Sequence, residues 1–98
     1  MSVYFTANIL MTDESVYQTY LDACDEVFNK YKGRYLAVDH SPTVLEGEYR
    51  YSKTVIIEFD DEDSFKDWYF SPEYQKIKRF RLAGAKCDSV LVKGLGSR

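Results

Sequence analysis

The sequence predicts an α+β fold in which a four-stranded antiparallel sheet carries helices on one face. Three observations lead there. Residues 54–60 alternate, with Val55, Ile57 and Phe59 pointing one way and Thr54, Ile56, Glu58 and Asp60 the other, the period of a half-buried strand. Val16, Tyr17, Tyr20, Cys24, Val27, Phe28 and Tyr31 recur every three or four residues, the spacing of an amphipathic helix. Ser71-Pro72-Glu73 reads as a helix start, because Ser caps free N–H groups, Pro is preset for the first helical position and Glu suits the positive end of the dipole.

In chain order, residues 3–11 form a first strand with Val3, Phe5, Ala7, Ile9 and Met11 on one face. Asp13 is the expected N-cap of the first helix, with Thr12 the alternative. That helix spans about five turns and is expected to end at Gly33. Residues 34–38 form a second strand, broken by His40-Ser41-Pro42. Residues 43–46 resume an extended pattern that Gly47 closes, and a bend or bulge is expected between the two pieces because Pro cannot donate to a central ladder. Residues 48–53 make a polar, tyrosine-rich turn into the strand at 54–60. The acidic turn at 60–63 leads into a helix burying Phe65, Trp68 and Tyr69, and a new helix from Pro72 carries Tyr74, Ile77 and Arg81 along one side. Residues 89–93 close the sheet, with Val90 and Val92 on one face.

The order β-α-β-β-α-β, with the second helical segment broken at Ser71, is the ferredoxin-like plan. Residues 1–94 are expected to form a single domain and 95–98 a flexible C-terminal tail. The helices are expected to cover Val3, Phe5, Val55, Ile57 and Phe59. The opposite face bears Tyr4, Thr6, Asn8, Leu10, Ile56 and Glu58, too apolar for open water and too polar for a dry core. A second copy laying its sheet on the first resolves this, so a homodimer enclosing an interior space is expected.

Composition narrows the function. A chain of 98 residues supplies one domain that buries about 60–70 % of its unfolded surface. Its 9 Tyr, 6 Phe and 1 Trp offer more contact area than so small a core needs. Net charge is −3, and the one basic cluster, Lys76, Lys78, Arg79 and Arg81, reads as a solvated helix face with one inward arginine; nucleic acid is not an expected partner. No signal peptide or membrane-length apolar run is present, so a cytoplasmic location away from membranes is expected. Cys24 and Cys87 lack metal spacing, and with one histidine in the chain no metal site and no cofactor are expected.

Several pieces together carry a resemblance: Ala7-Asn8-Ile9, Tyr17 to Tyr20, Gly33-Arg34-Tyr35-Leu36, Val44-Leu45-Glu46-Gly47, Ile56-Ile57-Glu58-Phe59, Trp68-Tyr69 followed by Ser71-Pro72-Glu73-Tyr74-Gln75, Arg81, and Val90-Leu91-Val92. The sequence resembles the domain of unknown function 1330 family, within the dimeric α/β barrel superfamily. The block from Trp68 to Gln75 is its most specific part. The resemblance implies a ferredoxin-like barrel dimer and leaves the activity open. The wider superfamily includes cofactor-independent monooxygenases, lactone isomerases and haem-degrading enzymes, an analogy at the level of fold only. Asp39-His40-Ser41-Pro42 departs from the Gly-rich or basic turn the family often has there.

Candidate site residues follow from burial and chemistry. Glu58, mid-strand on the expected interior face, needs a partner or a raised pKa, and Arg81 and Arg34 are the candidate partners. It is either a general acid or base toward a small organic ligand, oriented by Asn8 and Arg81, or a member of a structural ion pair. Glu46 is placed to share that space. His40, the one imidazole, is either a proton shuttle or an exposed loop residue, and alone is a thin basis for haem ligation. Trp68, Tyr69 and Tyr74 either line a pocket mouth or pack the core, and Tyr4 and Tyr20 are either catalytic phenols or simply hydrogen-bonded ones. The functional expectation is a small-molecule site in the interior of a dimer; the alternatives are a non-catalytic dimeric structural or interaction module and a cofactor-independent acid–base enzyme of isomerase or monooxygenase type.

Overall fold

A computed structural model describes residues 1–97. The elements are β1 (Val3–Met11), α1 (Glu14–Phe28), β2 (Arg34–Asp39), β3 (Lys53–Phe59), α2 (Glu62–Tyr69), α3 (Pro72–Gly84) and β4 (Ala85–Lys93), then a 3-10 turn at Leu95–Ser97. The four strands form one antiparallel sheet ordered β2-β3-β1-β4, with Phe5 opposite Ile57 and Leu91 and Thr6 opposite Ile56 and Val90. This is the ferredoxin-like arrangement, with the second helical segment split in two. Residues 95–97, expected within the tail, form the 3-10 turn, and Arg98 lies outside the described residues.

The helix starts are capped as their residue types dictate. Asp13 accepts from Val16 N at 3.2 Å, Asp61 from Ser64 N at 2.7 Å, and Ser71 Oγ from Tyr74 N at 3.0 Å. The helices cover the face that bears Val3, Phe5, Val55, Ile57 and Phe59, all buried. Rings hold that layer together: Trp68 stacks on Phe59 at 5.5 Å and meets Tyr74 at 4.2 Å and Phe5 edge-on at 5.7 Å.

Four local expectations are corrected. The first helix ends at Phe28 with Asn29 as its C-cap, not at Gly33. Gly33 serves packing instead: a Cβ there would lie 2.7 Å from the Phe28 and Phe59 rings. Residues 43–46 form no strand, and the bulge falls inside β2, between Tyr35 and Ala37, rather than at Pro42. Finally, β4 begins at Ala85 with no intervening loop, because the Gly84 carbonyl accepts from Thr12 N and Asp13 N at 2.9 and 3.0 Å and ties the end of α3 to the start of α1.

The bulge has a consequence for the site. Tyr35 pairs with Ile57, and Val38 with Val55, although three residues separate them. A regular strand would send Tyr35 and Val38 to opposite faces; the extra residue turns both toward the helices.

Candidate ligand-binding cavity

Between the helices and the sheet lies a cavity of about 370 Å³. Its floor is Phe5, Ala7, Ile9, Val55 and Ile57 of the central strands. Tyr17, Tyr20 and Cys24 of α1 form one wall, and Trp68, Tyr74 and Arg81 form another. The bulged strand adds Tyr35 and Val38, both partly solvent-exposed, beside Leu21 and Asp25 of α1, so this edge forms the mouth.

Two cations stand in this apolar setting. Arg81 is 2 % exposed and Lys53 is 7 % exposed. Among the described residues neither has a carboxylate within ion-pair distance. Lys53 Nζ sits 4.8 Å from the centroid of the Tyr17 ring, a cation–π contact. Two buried donors, Arg81 Nε and Trp68 Nε1, have no acceptor. Buried donors are nearly always satisfied, and each one left without an acceptor costs about 1–3 kcal/mol.

The phenols are tied to the same cluster. The Tyr20 and Tyr74 hydroxyls lie 3.0 Å apart. Burial raises the pKa values of Tyr17, Tyr20 and Tyr74, so these phenols stay protonated at neutral pH. Burial lowers that of Lys53 below the ordinary lysine value. Burial, reinforced by the Asp25 carboxylate, pushes the Cys24 thiol up to about 11. Burial raises Cys87 as well, and both Arg81 and Lys53 oppose that rise, so the two cations act on one neighbourhood.

The structure divides the sequence-predicted residues between the two sides of the sheet. Trp68, Tyr74 and Arg81 meet in the cavity. Glu58 and Asn8 lie on the opposite face, opposite Tyr4 and Thr54 in the ladder. The expected Glu58–Arg81 contact therefore does not form, because helix α3 packs on the face that Glu58 turns away from. Arg34 takes that place: its guanidinium reaches Glu58 Oε1 at 2.9 Å and Asp60 Oδ1 at 2.9 Å. Hydrogen bonds from Arg34, with help from Ser2 and Tyr4, hold the Glu58 carboxyl below its ordinary pKa. Asn8 Oδ1 accepts from Thr54 Oγ1 at 2.6 Å, and Tyr49 Oη lies 2.7 Å from that same hydroxyl. Glu46 and His40 are exposed in the segment between β2 and β3 and join neither group.

Lys53, Tyr17 and Tyr35 escaped the sequence reading as cavity residues. Lys53 had a signal: stepping back by two from Val55, Ile57 and Phe59 lands on it, so the alternation already placed an ammonium group on the buried face. Tyr35 had none, because its orientation depends on the bulge.

The open face of the sheet is uncovered. Leu10, Val90 and Val92 are exposed there, around the half-buried Tyr4, Thr6 and Ile56. Among the described residues no helix is long and apolar enough to cross a membrane, and no cluster of His, Cys, Asp and Glu is arranged to hold a metal.

The model of a family described as Domain of unknown function (DUF1330) matches residues 2–95. The chain belongs to this family. Among curated proteins nothing matches. Solved structures share the fold. A Rhodopseudomonas palustris protein of unknown function superposes with a TM-score of 0.81 at 16 % identity, covering 96 % of this chain and 82 % of the other. A dimeric ferredoxin-like protein of unknown function from Jannaschia sp. CCS1 gives 0.74 at 12 % identity, covering 96 % and 100 %. SnoaB, a cofactor-independent oxygenase from Streptomyces nogalater, gives 0.68 at 14 % identity, covering 95 % and 92 %. At these identities the likeness is one of fold.

Proposed function

We propose that this DUF1330 protein binds a small planar organic anion in the cavity between its helices and its sheet. The observation that carries the reading is the imbalance of the walls. Two buried cations, Lys53 and Arg81, line aromatic walls, and two N–H groups of those walls have no acceptor, with no internal carboxylate to satisfy them. A ligand with a carboxylate, phenolate or enolate oxygen supplies the missing acceptors, and its ring supplies the area the aromatics match. The volume, about 370 Å³, lies in the range of small-molecule sites. Lys53, Trp68, Tyr74 and Arg81 are the ligand-binding residues of this proposal. The ligand thus sits on the helical side of each sheet instead of between two sheets.

The protein acts as a homodimer in the same proposal. The exposed Leu10, Val90 and Val92 and the mutually paired polar groups of the open face suit a second sheet, and the Jannaschia relative is a dimer. Asn8 and Glu58 then belong to the dimer interface, while Glu46 and His40 have no part in the chemistry. The domain spans 1–94, the location is cytoplasmic, and neither nucleic acid nor membrane is a partner. A catalytic version has one supporting observation: Lys53 and Arg81 would stabilise the enolate or phenolate of a bound ligand, the anion that cofactor-independent chemistry starts from.

Trp68 is the sole tryptophan and lines the cavity, so its fluorescence reports occupancy. Titration with benzoate and larger planar carboxylates should quench it saturably in the wild-type protein and not in Arg81→Met. Quenching that is linear and unchanged by the substitution would refute the assignment. Sedimentation should give a dimer that Val90→Asp dissociates; a wild-type monomer at micromolar concentration would refute the interface.

A further inference from the structure

We infer that Lys53 is a nucleophilic amine, placed to form an imine with the carbonyl carbon of a small 2-oxo carboxylic acid whose carboxylate rests on Arg81. This deepens the anion-cavity reading and rests on it. Lys53 opens β3 and, by the strand's alternation, faces the helices with Val55 and Ile57. Its stem is buried, its Nζ lies over the Tyr17 ring at 4.8 Å, and among the described residues no carboxylate pairs with it.

A lysine kept for structure in such a place is normally given a carboxylate, because a buried, unpaired ammonium is costly. This one is given an aromatic face and an open cavity. The same desolvation that makes the ammonium costly favours the free amine, the form that attacks carbonyls. The second cation, Arg81, lines the same cavity and has no carboxylate partner among the described residues, a match for the carboxylate of the substrate. A 2-oxo acid carries its carbonyl directly beside its carboxylate, so one ligand offers a partner to each of the two cations that line the cavity.

The step balances without any co-reactant. The Nζ lone pair attacks the carbonyl carbon, and the π electrons move to oxygen, which takes a proton. The resulting carbinolamine loses that hydroxyl, with a proton, as water. The products are the imine and one water molecule. The phenols of Tyr20 and Tyr74, paired at 3.0 Å in the cavity wall and held protonated by burial, are placed to pass protons to and from the departing oxygen.

The test uses benzoylformate, an aromatic 2-oxo acid, with cyanoborohydride as the trap. The intact mass should rise by that of the probe less one oxygen atom, and peptide mapping should place the addition on Lys53. Excess benzoate, which lacks the carbonyl, should block it. Lys53→Arg keeps the positive charge but has no amine that can form the imine, so it should lose the addition. Arg81→Met should slow the addition by about tenfold or more, the loss of one charge-assisted contact. Near-ultraviolet circular dichroism checks that each variant is folded. Saturable quenching without addition at Lys53, or addition spread evenly over surface lysines, overturns the imine and leaves the cavity reading standing. The absence of both quenching and addition overturns the two together.

Discussion

Replacing Arg81 by Met separates the cost of the cavity from its use. Arg81 is 2 % exposed, has no carboxylate partner among the described residues, and keeps an unpaired Nε. An ion taken out of water and left uncompensated costs several kcal/mol, and exchanging buried charge for an apolar side chain of similar length recovers about 1–4 kcal/mol in known cases. Methionine leaves some of the volume unfilled, so about 1–3 kcal/mol of added stability is expected for the unliganded protein. In a domain of this size that is a rise of roughly 5–20 °C in Tm. Urea unfolding at fixed protein concentration should show a higher midpoint with an unchanged slope. The gain has a functional cost. Benzoate at a hundredfold excess over its Kd should stabilise the wild-type protein by about 2.7 kcal/mol and the variant by nothing. A variant destabilised by more than about 2 kcal/mol would refute the argument, since an arginine whose loss is that damaging is a structural post with partners of its own. Retained stabilisation by benzoate would equally show that the anion is not held at Arg81.

Other consequences can be checked cheaply. Cys24 has its thiol raised from 9.0 to about 11, so at pH 8 its thiolate population, and with it the rate of alkylation by iodoacetamide, should be roughly a hundredfold below that of the unfolded chain. Gly84→Ala places a methyl group 2.6 Å from Tyr17 N and should cost about 1–3 kcal/mol in urea melts, because backbone on both sides must move. A double-mutant cycle on Glu58 should show coupling with Arg34 and none with Arg81, which lies across the sheet. The carboxyls of Glu58 and Glu73 are held below 4.5 by Arg34 and Lys30, so in this range the unfolded state binds more protons; their contribution is complete above 4.5 and is lost as pH falls through their folded-state values. Glu58→Gln should make the acid limb of the stability profile shallower.

Local signals made most of the fold readable. The alternation of β1 and β3, the spacing of α1 and the cap at Ser71 are properties of neighbouring residues, and each survives in the structure. What was not readable depended on distant partners. Ala85 to Ser89 carries no β-branched run and becomes strand because the second half of β1 lies beside it, from Met11 opposite Ala85 to Ala7 opposite Ser89. Gly33 reads as a helix stop but answers to the rings of Phe28 and Phe59. The site divided along the same line. Helical spacing made Trp68 readable as buried on one helix and aligned Tyr74 with Arg81 on the next, whereas Glu58 was joined to Arg81 on charge alone, with nothing in the sequence to say which side of the sheet α3 would occupy.

The two faces of the sheet solve the problem of polar groups in opposite ways, and this difference is what supports the proposal of a ligand on the helical side. On the open face the donors and acceptors find one another: Thr54 donates to Asn8, Tyr51 to Asp88, and Arg34 to Glu58 and Asp60. A face whose polar groups are already paired can meet a second surface without large desolvation losses. On the helical side the sequence had every means to do the same. A single Asp or Glu in place of one of the surrounding tyrosines would have neutralised Arg81 or Lys53. Instead the walls carry phenols, an indole N–H and two cations, a set rich in donors and lacking any buried carboxylate. Stability alone does not account for that composition, since pairing either cation or replacing it with an apolar residue would lower the cost of burial. An anion that arrives from solution does account for it, because it supplies the acceptor that the chain omits.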